Sequence, residues 1–355
     1  MIIFPENSNI DSCNRVKFGI DPTFPRLHLG HFIPLRMVKK LQDQGKHITL
    51  VLGTFTAQMG DPSGRDSTRP ILSAEEVIKN SEIILNQVNK ILTPGFDIFR
   101  NHEFHGAMTT PELLSHLSQF TLAHMTSRNA FEKRIKDNCS IGLHELIVPI
   151  LQGLDSFVLK SDLEIGGQDQ LFNFQIARKI QESNKQKPQV CLMFPIINGT
   201  DGRKMSKSLG NCIFLDESPE DIFGKIMSIS DETMEEWIPI ITDLTELNLP
   251  AHPMHRKRNL AVDVVRQLCG LEEADKAAQN FFKKIQKKEL PEIIPELVVN
   301  SILDAIISVR KCSKTEARRL INSGGIKING QKFVDQIVNS GDLIQIGKRD
   351  FVKAK

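Results

Sequence analysis

The 355-residue sequence predicts an α/β fold: a parallel sheet interrupted by a helical insertion, then a helical region and a small α+β tail. Three observations predict it. First, "RVKFGI" (15–20) and "HITLVLG" (47–53) are short apolar runs of buried-strand type. Between them "HFIPLRMVKKLQDQG" spaces its apolar residues at helical intervals and ends on Gly45. Strand, helix and strand in that order make a βαβ unit. Second, the pattern returns at "DLEIGG" (162–167) and "VCLMFPII" (190–197), with helical "DQLFNFQIARKIQES" between them. Third, the intervening segment is helical. Ser73 opens "SAEEVIKNSEIILNQVNKIL" as an N-cap, Glu76 completes a capping box, and Pro94 lies past the end. Further helical patterns run to about residue 160, so an insertion is expected at about 68–150. Residues from about 231 to 290 are helical and polar-faced. From 295 onward come two short helices, then "GGIKINGQKF" and "DLIQIG", alternating segments joined by Gly-Gly and Asn-Gly turns. The expected division is 1–225, 226–294 and 295–355.

Composition narrows the function classes. Apolar residues make up 40% and charged residues 25%, ordinary for a globular chain. No apolar run approaches the ~20 residues needed to cross a bilayer. The N-terminal segment has no signal-peptide pattern, so a cytoplasmic protein is expected. Six cysteines show no CxxC pair, which argues against a structural zinc site or a disulfide framework. Net charge is +2, yet residues 301–355 carry eleven Lys or Arg against five Asp or Glu. A basic tail of that kind suits a polyanion, most often nucleic acid. The chain has 20 phenylalanines and no tyrosine.

The chemistry concentrates at "GIDPTFPRLHLGH" (19–31). Ligands of an open α/β sheet bind beyond the carboxyl ends of its strands, and the next helix offers unpaired N–H groups to anions. His28 and His31 fall at the start of such a helix, where two imidazoles can donate to phosphate oxygens. Gly30 leaves room for close approach. The pair does not stand alone: "KMSKS" (204–208) follows the last expected strand. Its Lys204 and Lys207 can clamp the charge of a departing pyrophosphate.

Together "HLGH" and "KMSKS" resemble the two signatures of class I aminoacyl-tRNA synthetases. "GDPSGR" (60–65), "LQGLDS" (151–156) and "GGQDQ" (166–170) are similar to segments of the bacterial tyrosyl-tRNA synthetases, and the likeness extends over nearly the whole chain. Tryptophanyl enzymes are the nearest alternative. The terminal "SKTEARRLINSGGIKINGQK" resembles the small RNA-binding domain that ends those enzymes. The resemblance implies a Rossmann-type catalytic domain, a helical anticodon-facing domain and a small basic RNA-binding domain. It implies activation of tyrosine with ATP and Mg²⁺, transfer to tRNA(Tyr), and a homodimer built through the insertion.

By position, His28, His31, Lys204, Lys207 and Thr23 would act on the phosphates. Gly30, Gly167, Asp169, Met205 and Ser206 would bind ATP, Asp169 holding the ribose. Asp21 would help to place the amino acid. Asp61 would take the α-ammonium group with help from Gln152, Gln170 would contact the substrate carboxylate, and Asp155 would accept from the phenolic hydroxyl. Lys314, Arg318, Arg319 and Lys327 are the expected RNA contacts.

Two positions depart from the family pattern: Val148 and Leu154 stand where tyrosines are common. The absence of tyrosine fits a synthetase whose translation does not require its own product. It also fits a paralogue that activates another aromatic amino acid or a tyrosine derivative. A non-catalytic RNA-binding relative is the third reading, opposed by the intact motifs.

Overall fold

A computed structural model describes residues 1–59, 72–245, 249–286, 296–297, 301–310, 312–322, 324–329, 331–333, 338–347 and 350–355. The "GDPSGR" motif with Asp61 lies outside the described residues. The chain divides into two compact units, Met1–Gln279 and Asn280–Lys355.

The first unit is organised by a sheet whose strand order is β1-β6-β5-β2-β3-β4. These strands are β1 (Ile2–Phe4), β2 (Arg15–Ile20), β3 (His47–Leu52), β4 (Asp97–Arg100), β5 (Leu163–Gly167) and β6 (Val190–Phe194). β2 pairs in parallel with β3 on one side and β5 on the other, so the chain reverses its direction of growth between β2 and β5. Ligand sites of open α/β sheets lie at that reversal, beyond the carboxyl ends of the strands. Among the described residues of this sheet only β1 runs antiparallel, as an edge strand against β6.

Helices α1 (Leu29–Asp43), α2 (Thr56–Met59), α3 (Ala74–Val88), α4 (Asn101–His105), α5 (Thr110–Leu117), α6 (Leu122–Thr126), α7 (Asn129–Lys136), α8 (Leu143–Leu159) and α9 (Leu171–Ser183) connect the strands. Val16, Leu50, Leu52, Leu163 and Leu192 are almost fully buried, as expected for strands covered by helices. α10 (Pro219–Met227), α11 (Asp231–Ile241), α12 (Pro253–Cys269) and α13 (Leu271–Gln286) follow. Fully buried Phe223, Trp237 and Val264 lie on the first three of these.

The expected insertion at 68–150 is corrected in one respect. β4 falls inside it and extends the parallel sheet, with Leu50 opposite Ile98. Four residues behind a Pro-Gly pair are too few to display strand periodicity, and Ile98 is partly exposed at the sheet edge. The helical excursion therefore runs from α4 to α8. Two more short strands, β7 (Glu296–Leu297) and β11 (Asp350–Ala354), were likewise illegible by pattern.

In the second unit, α14 (Ile302–Arg310) and α15 (Lys314–Asn322) accompany a sheet of order β7-β11-β10-β8-β9. Its other strands are β8 (Ile326–Ile328), β9 (Gln331–Lys332) and β10 (Leu343–Ile346). β8 and β9 form the hairpin expected of the Asn-Gly turn. Ala305, Ile306, Ala317, Ile326, Ile344 and Val352 make its core. Lys314, Arg318, Arg319 and Lys327 are exposed.

Candidate active site

Asp21 follows β2 and Asp169 follows β5, so the strand reversal places both carboxylates at the mouth of one crevice. Gly53, just past β3, is required there. A Cβ on it would stand 1.9 Å from Asp21 Oδ1 and 2.5 Å from Thr56 Oγ1. With glycine, Thr56 donates to Asp21 at 2.8 Å. Thr23 folds back over the same turn, its N–H donating to the Asp21 carbonyl at 2.8 Å.

At one pole of the crevice, the two histidines cap their own helix. His28 is the N-cap of α1 and its Nδ1 accepts from Gly30 N–H at 3.1 Å, while His31 Nδ1 accepts from His28 N–H at 3.2 Å. Both Nδ1 atoms are thus acceptors, which leaves the ring proton on Nε2 and makes that atom of each neutral ring a donor. Burial, then the charge of Lys207, pushes the His28 pKa down to about 3. Burial foremost, with His28 and Lys207, lowers that of His31. The positive end of α1 acts in the same direction. Gly30 was expected to make room for a ligand, and in this structure its missing Cβ also makes room for His28. That Cβ would lie 2.9 Å from the His28 ring.

The KMSKS segment is tied to this helix start. An isolated bridge joins His28 to Phe214, and Leu29 N–H donates to the Ile213 carbonyl at 3.0 Å. Met205 is buried, its Sδ facing the position of a Gly30 Cβ. Asn211 orders the loop by accepting from Ser206 N–H at 2.8 Å and donating to the Lys204 carbonyl at 3.1 Å. Ser206 and Ser208 share a hydroxyl contact. Lys204 is exposed, and Lys207 Nζ lies 4.8 Å from the centre of the Phe24 ring.

At the other pole, α8 carries Gln152 and Asp155 one turn apart. Gln152 Oε1 accepts from Asn173 at 2.8 Å, and Asn173 also reaches Gln170 at 2.9 Å. Gln152 Nε2 donates to Glu164 at 3.3 Å. Beneath lies a fully buried ion pair, Lys17 with Glu164 at 2.9 Å. Lys17 further donates to the Gln152 carbonyl at 2.9 Å and to Ser156 Oγ at 2.7 Å, and Ser156 donates to Glu164. Gln189 is hydrogen-bonded to Glu164 as well. Asp155 is buried and accepts from Asn101 at 3.2 Å and His105 at 2.8 Å. Val148 and Leu154 are buried too, at 1% and 0% exposure. Gly167 clears space for Asp169, whose Oδ1 would lie 2.4 Å from a Cβ there.

The crevice therefore gathers Asp21, Thr23, His28, Gly30, His31, Gln152, Asp155, Gly167, Asp169, Gln170, Met205 and Lys207 onto the elements around one strand reversal. Sequence reading missed Lys17, Gly53, Thr56, Asn101, His105, Glu164 and Asn173. One signal was available: opposite charges in the middle of two apolar strands, Lys17 and Glu164, mark a buried pair. The others touch the site only through the fold.

A parallel sheet with a strand reversal, a self-capped histidine pair at the first helix and a lysine loop beyond the last parallel strand define a class I aminoacyl-tRNA synthetase core. Residues 11–290 match the family of class I tRNA synthetases for tryptophan and tyrosine. The chain belongs to this family. It is 40% identical to a tyrosine–tRNA ligase of Thermotoga maritima, over 96% of this chain and 90% of that one. The corresponding enzyme of Aquifex aeolicus is 41% identical, over 96% and 91%. Among solved structures, a C-terminally truncated mitochondrial tyrosyl-tRNA synthetase of Aspergillus nidulans matches with TM-score 0.63 at 20% identity, over 76% of this chain and 85% of that one. The Archaeoglobus fulgidus tyrosyl-tRNA synthetase, complexed with L-tyrosine, matches with TM-score 0.57 at 20% identity, over 75% and 90%. These two support the fold. Among the described residues no helix is long and apolar enough to cross a membrane.

Proposed function

We propose that the chain is a tyrosine–tRNA ligase that activates tyrosine with ATP and then charges tRNA(Tyr). The observation that carries the amino-acid assignment is Asp155, a buried carboxylate with both oxygens already fixed by donors. An ionised carboxylate can only accept, so its remaining lone pairs call for a ligand donor. The phenolic hydroxyl supplies one, and phenylalanine would leave those lone pairs without a donor, a basis for discrimination of up to ~10⁴–10⁵.

In the first step a tyrosine carboxylate oxygen attacks the α-phosphorus. The bond to the bridging oxygen breaks, and pyrophosphate leaves with the electron pair. In the second, a terminal ribose hydroxyl of the tRNA attacks the acyl carbon and AMP departs. No covalent enzyme intermediate is needed, so the protein's part is positioning and charge stabilisation. His28 and His31 serve as neutral Nε2–H donors to the phosphates, and Lys204 and Lys207 meet the charge that grows on pyrophosphate. Thr23 and Asp21 place the reacting groups, and Met205 and Ser206 shape the nucleotide side. Asp169, with Gly167, takes the ribose. Gln152 and Asp61 take the α-ammonium group and Gln170 the carboxylate end. Magnesium enters with the ATP phosphates as part of the substrate.

Three further assignments belong to this reading. Lys314, Arg318, Arg319 and Lys327 contact tRNA phosphates. The helical excursion forms a homodimer, supported by exposed Leu114, Leu122, Ile135 and Leu143 on α5, α6, α7 and α8. The work is done in the cytoplasm, in three functional parts: 1–225, 226–294 and 295–355. A second reading, activation of a tyrosine derivative, is favoured by Val148 and Leu154. ATP–pyrophosphate exchange over a panel of aromatic amino acids is the test. Tyrosine is expected to give the highest kcat/KM; exchange with a derivative alone would select the second reading, and silence with all would reject catalysis.

A further inference from the structure

A buried histidine with one polar contact is an unusual thing for a core to hold. The His105 side chain is 1% exposed, and its Nε2 lies 2.8 Å from Asp155 Oδ1. Its other nitrogen, Nδ1, is buried with no hydrogen-bond partner among the described residues. Phe55 and Phe104 pack against the ring, at 5.5 and 5.0 Å between centroids. The ring also borders a cavity of about 90 Å³ whose other walls are Phe55, Met59, Met108, Leu113, Ile147 and Leu151. Both ring contacts and the other walls of the cavity are apolar or aromatic, so among the described residues the imidazole's hydrogen bond goes to that carboxylate.

The commitment has a physical purpose. A carboxylate buried without compensation is costly, and removal of one member of a buried pair is strongly destabilising. His105 and Asn101 sit at the two ends of the five-residue α4, and each takes one oxygen of Asp155. Together they set the plane of the carboxylate and occupy one lone pair on each oxygen. Asn101 Nδ2 also reaches Thr56 Oγ1 at 3.3 Å, and Thr56 reaches Asp21. A continuous polar chain thus links the Asp155 carboxylate to the strand reversal where the reaction is placed.

We infer that His105 is the specificity-determining positioning residue of the amino-acid pocket: by holding Asp155 Oδ1 it keeps that carboxylate aimed as an acceptor for the substrate's phenolic hydroxyl. This rests on the reading of Asp155 given above, and the experiment separates the two. Tyrosine and phenylalanine kinetics are measured by pyrophosphate exchange for the wild type, His105→Leu, His105→Gln and Asp155→Ala. His105→Leu is expected to raise the tyrosine KM and lower the tyrosine-to-phenylalanine ratio of kcat/KM by roughly ten- to a hundredfold, the worth of a hydrogen bond to a charged group. Its kcat with saturating tyrosine should change much less. His105→Gln, which can still donate, should recover most of the ratio. If His105→Leu keeps the ratio while Asp155→Ala abolishes it, the inference is overturned and the reading of Asp155 stands. A His105→Gln variant as poor as His105→Leu would also overturn it, by reducing the residue to a packing element. Survival of the ratio in Asp155→Ala removes the underlying reading and the inference with it. Should His105→Leu fail to fold, nitrogen-15 NMR of the wild-type imidazole decides instead. Saturating tyrosine must shift the His105 Nε2 resonance more than saturating phenylalanine does; equal shifts overturn the proposal.

Discussion

On the α8 side of the crevice, Gln152 and Asp155 are each held through two hydrogen bonds to their side chains, above a fully buried ion pair. On the α1 side, the histidines are held by their own helix start, while Lys204 stands exposed and Lys207 rests over the Phe24 ring. The difference follows from the two tasks proposed for them. Selection of a side chain by hydrogen bonds needs acceptors and donors fixed before the ligand arrives, because an unpaired buried group is what rejects the wrong ligand. Stabilisation of a leaving pyrophosphate needs charge delivered as the transition state forms, and interactions made equally in the ground state add nothing to kcat.

The comparison is broken most severely at the buried pair. Lys17→Met is expected to cost about 3–5 kcal/mol of stability, because it strands Glu164 in the interior. Glu164→Gln in the same chain should recover part of that loss. Urea unfolding of the single and double variants measures both, and a Lys17→Met protein as stable as the wild type would show that the pair contributes nothing to the stability of the interior.

Next in size are the phosphate groups. Lys207→Ala or Lys204→Ala should lower kcat for adenylate formation by roughly 10²–10³ while tyrosine and ATP affinities change little, as for loss of a transition-state donor. His28→Asn sharpens the point. Its side-chain oxygen can cap α1 in place of Nδ1, so a matching fall in kcat would isolate the Nε2–H donor from the cap. Presteady-state adenylate formation checks each variant. Parallel losses in KM and kcat would mean that the groups bind the ground state.

Removal of residues 295–355 should leave pyrophosphate exchange within a few-fold of the intact chain and weaken tRNA charging. It should also flatten the salt dependence of tRNA binding, since each lost phosphate contact reduces that slope by about one. Comparable loss of exchange from a folded truncated protein would count against a division of labour.

The smallest effect expected is with pH. His28 has its pKa pushed down to about 3 by burial and by Lys207, so the ring stays neutral from pH 7.5 down to about 5. The kcat for exchange should show no acid limb near the ordinary histidine value of about 6.5. Stability follows the opposite sign from an ion-paired histidine. Below pH 6.5 the unfolded chain binds protons that the folded chain refuses at His28 and His31, so both groups lower stability as pH falls. A kcat limb at 6.5 that vanishes in His28→Asn would contradict the neutral-donor role.

Much of this was legible in the residue order. Apolar runs of strand length, helix caps and glycine turns are local, and they marked β2, β3, β5, β6 and the β8–β9 hairpin together with α1, α3 and α9. The motif residues were legible for the same reason: each lies within a few positions of a strand end or helix start that exposes it. β4 was not, because four residues at a sheet edge carry no periodicity, and Asn101 and His105, which that strand delivers, were hidden with it. Gly30 shows the limit from the other side. Its need for space was readable, but that the space is filled by the His28 ring depends on a capping geometry that only the folded helix start creates.

By itself the sequence determined the α/β class and the family, and it proposed His28, His31, Asp155, Asp169, Lys204 and Lys207 as candidate site residues. Tertiary structure alone decided which groups hold them. Lys17 meets Glu164 across 147 positions of chain, and His105 meets Asp155 across 50. Such pairings are set by strand register and helix packing, and no local pattern of side chains encodes a contact between segments that meet only when the sheet has formed.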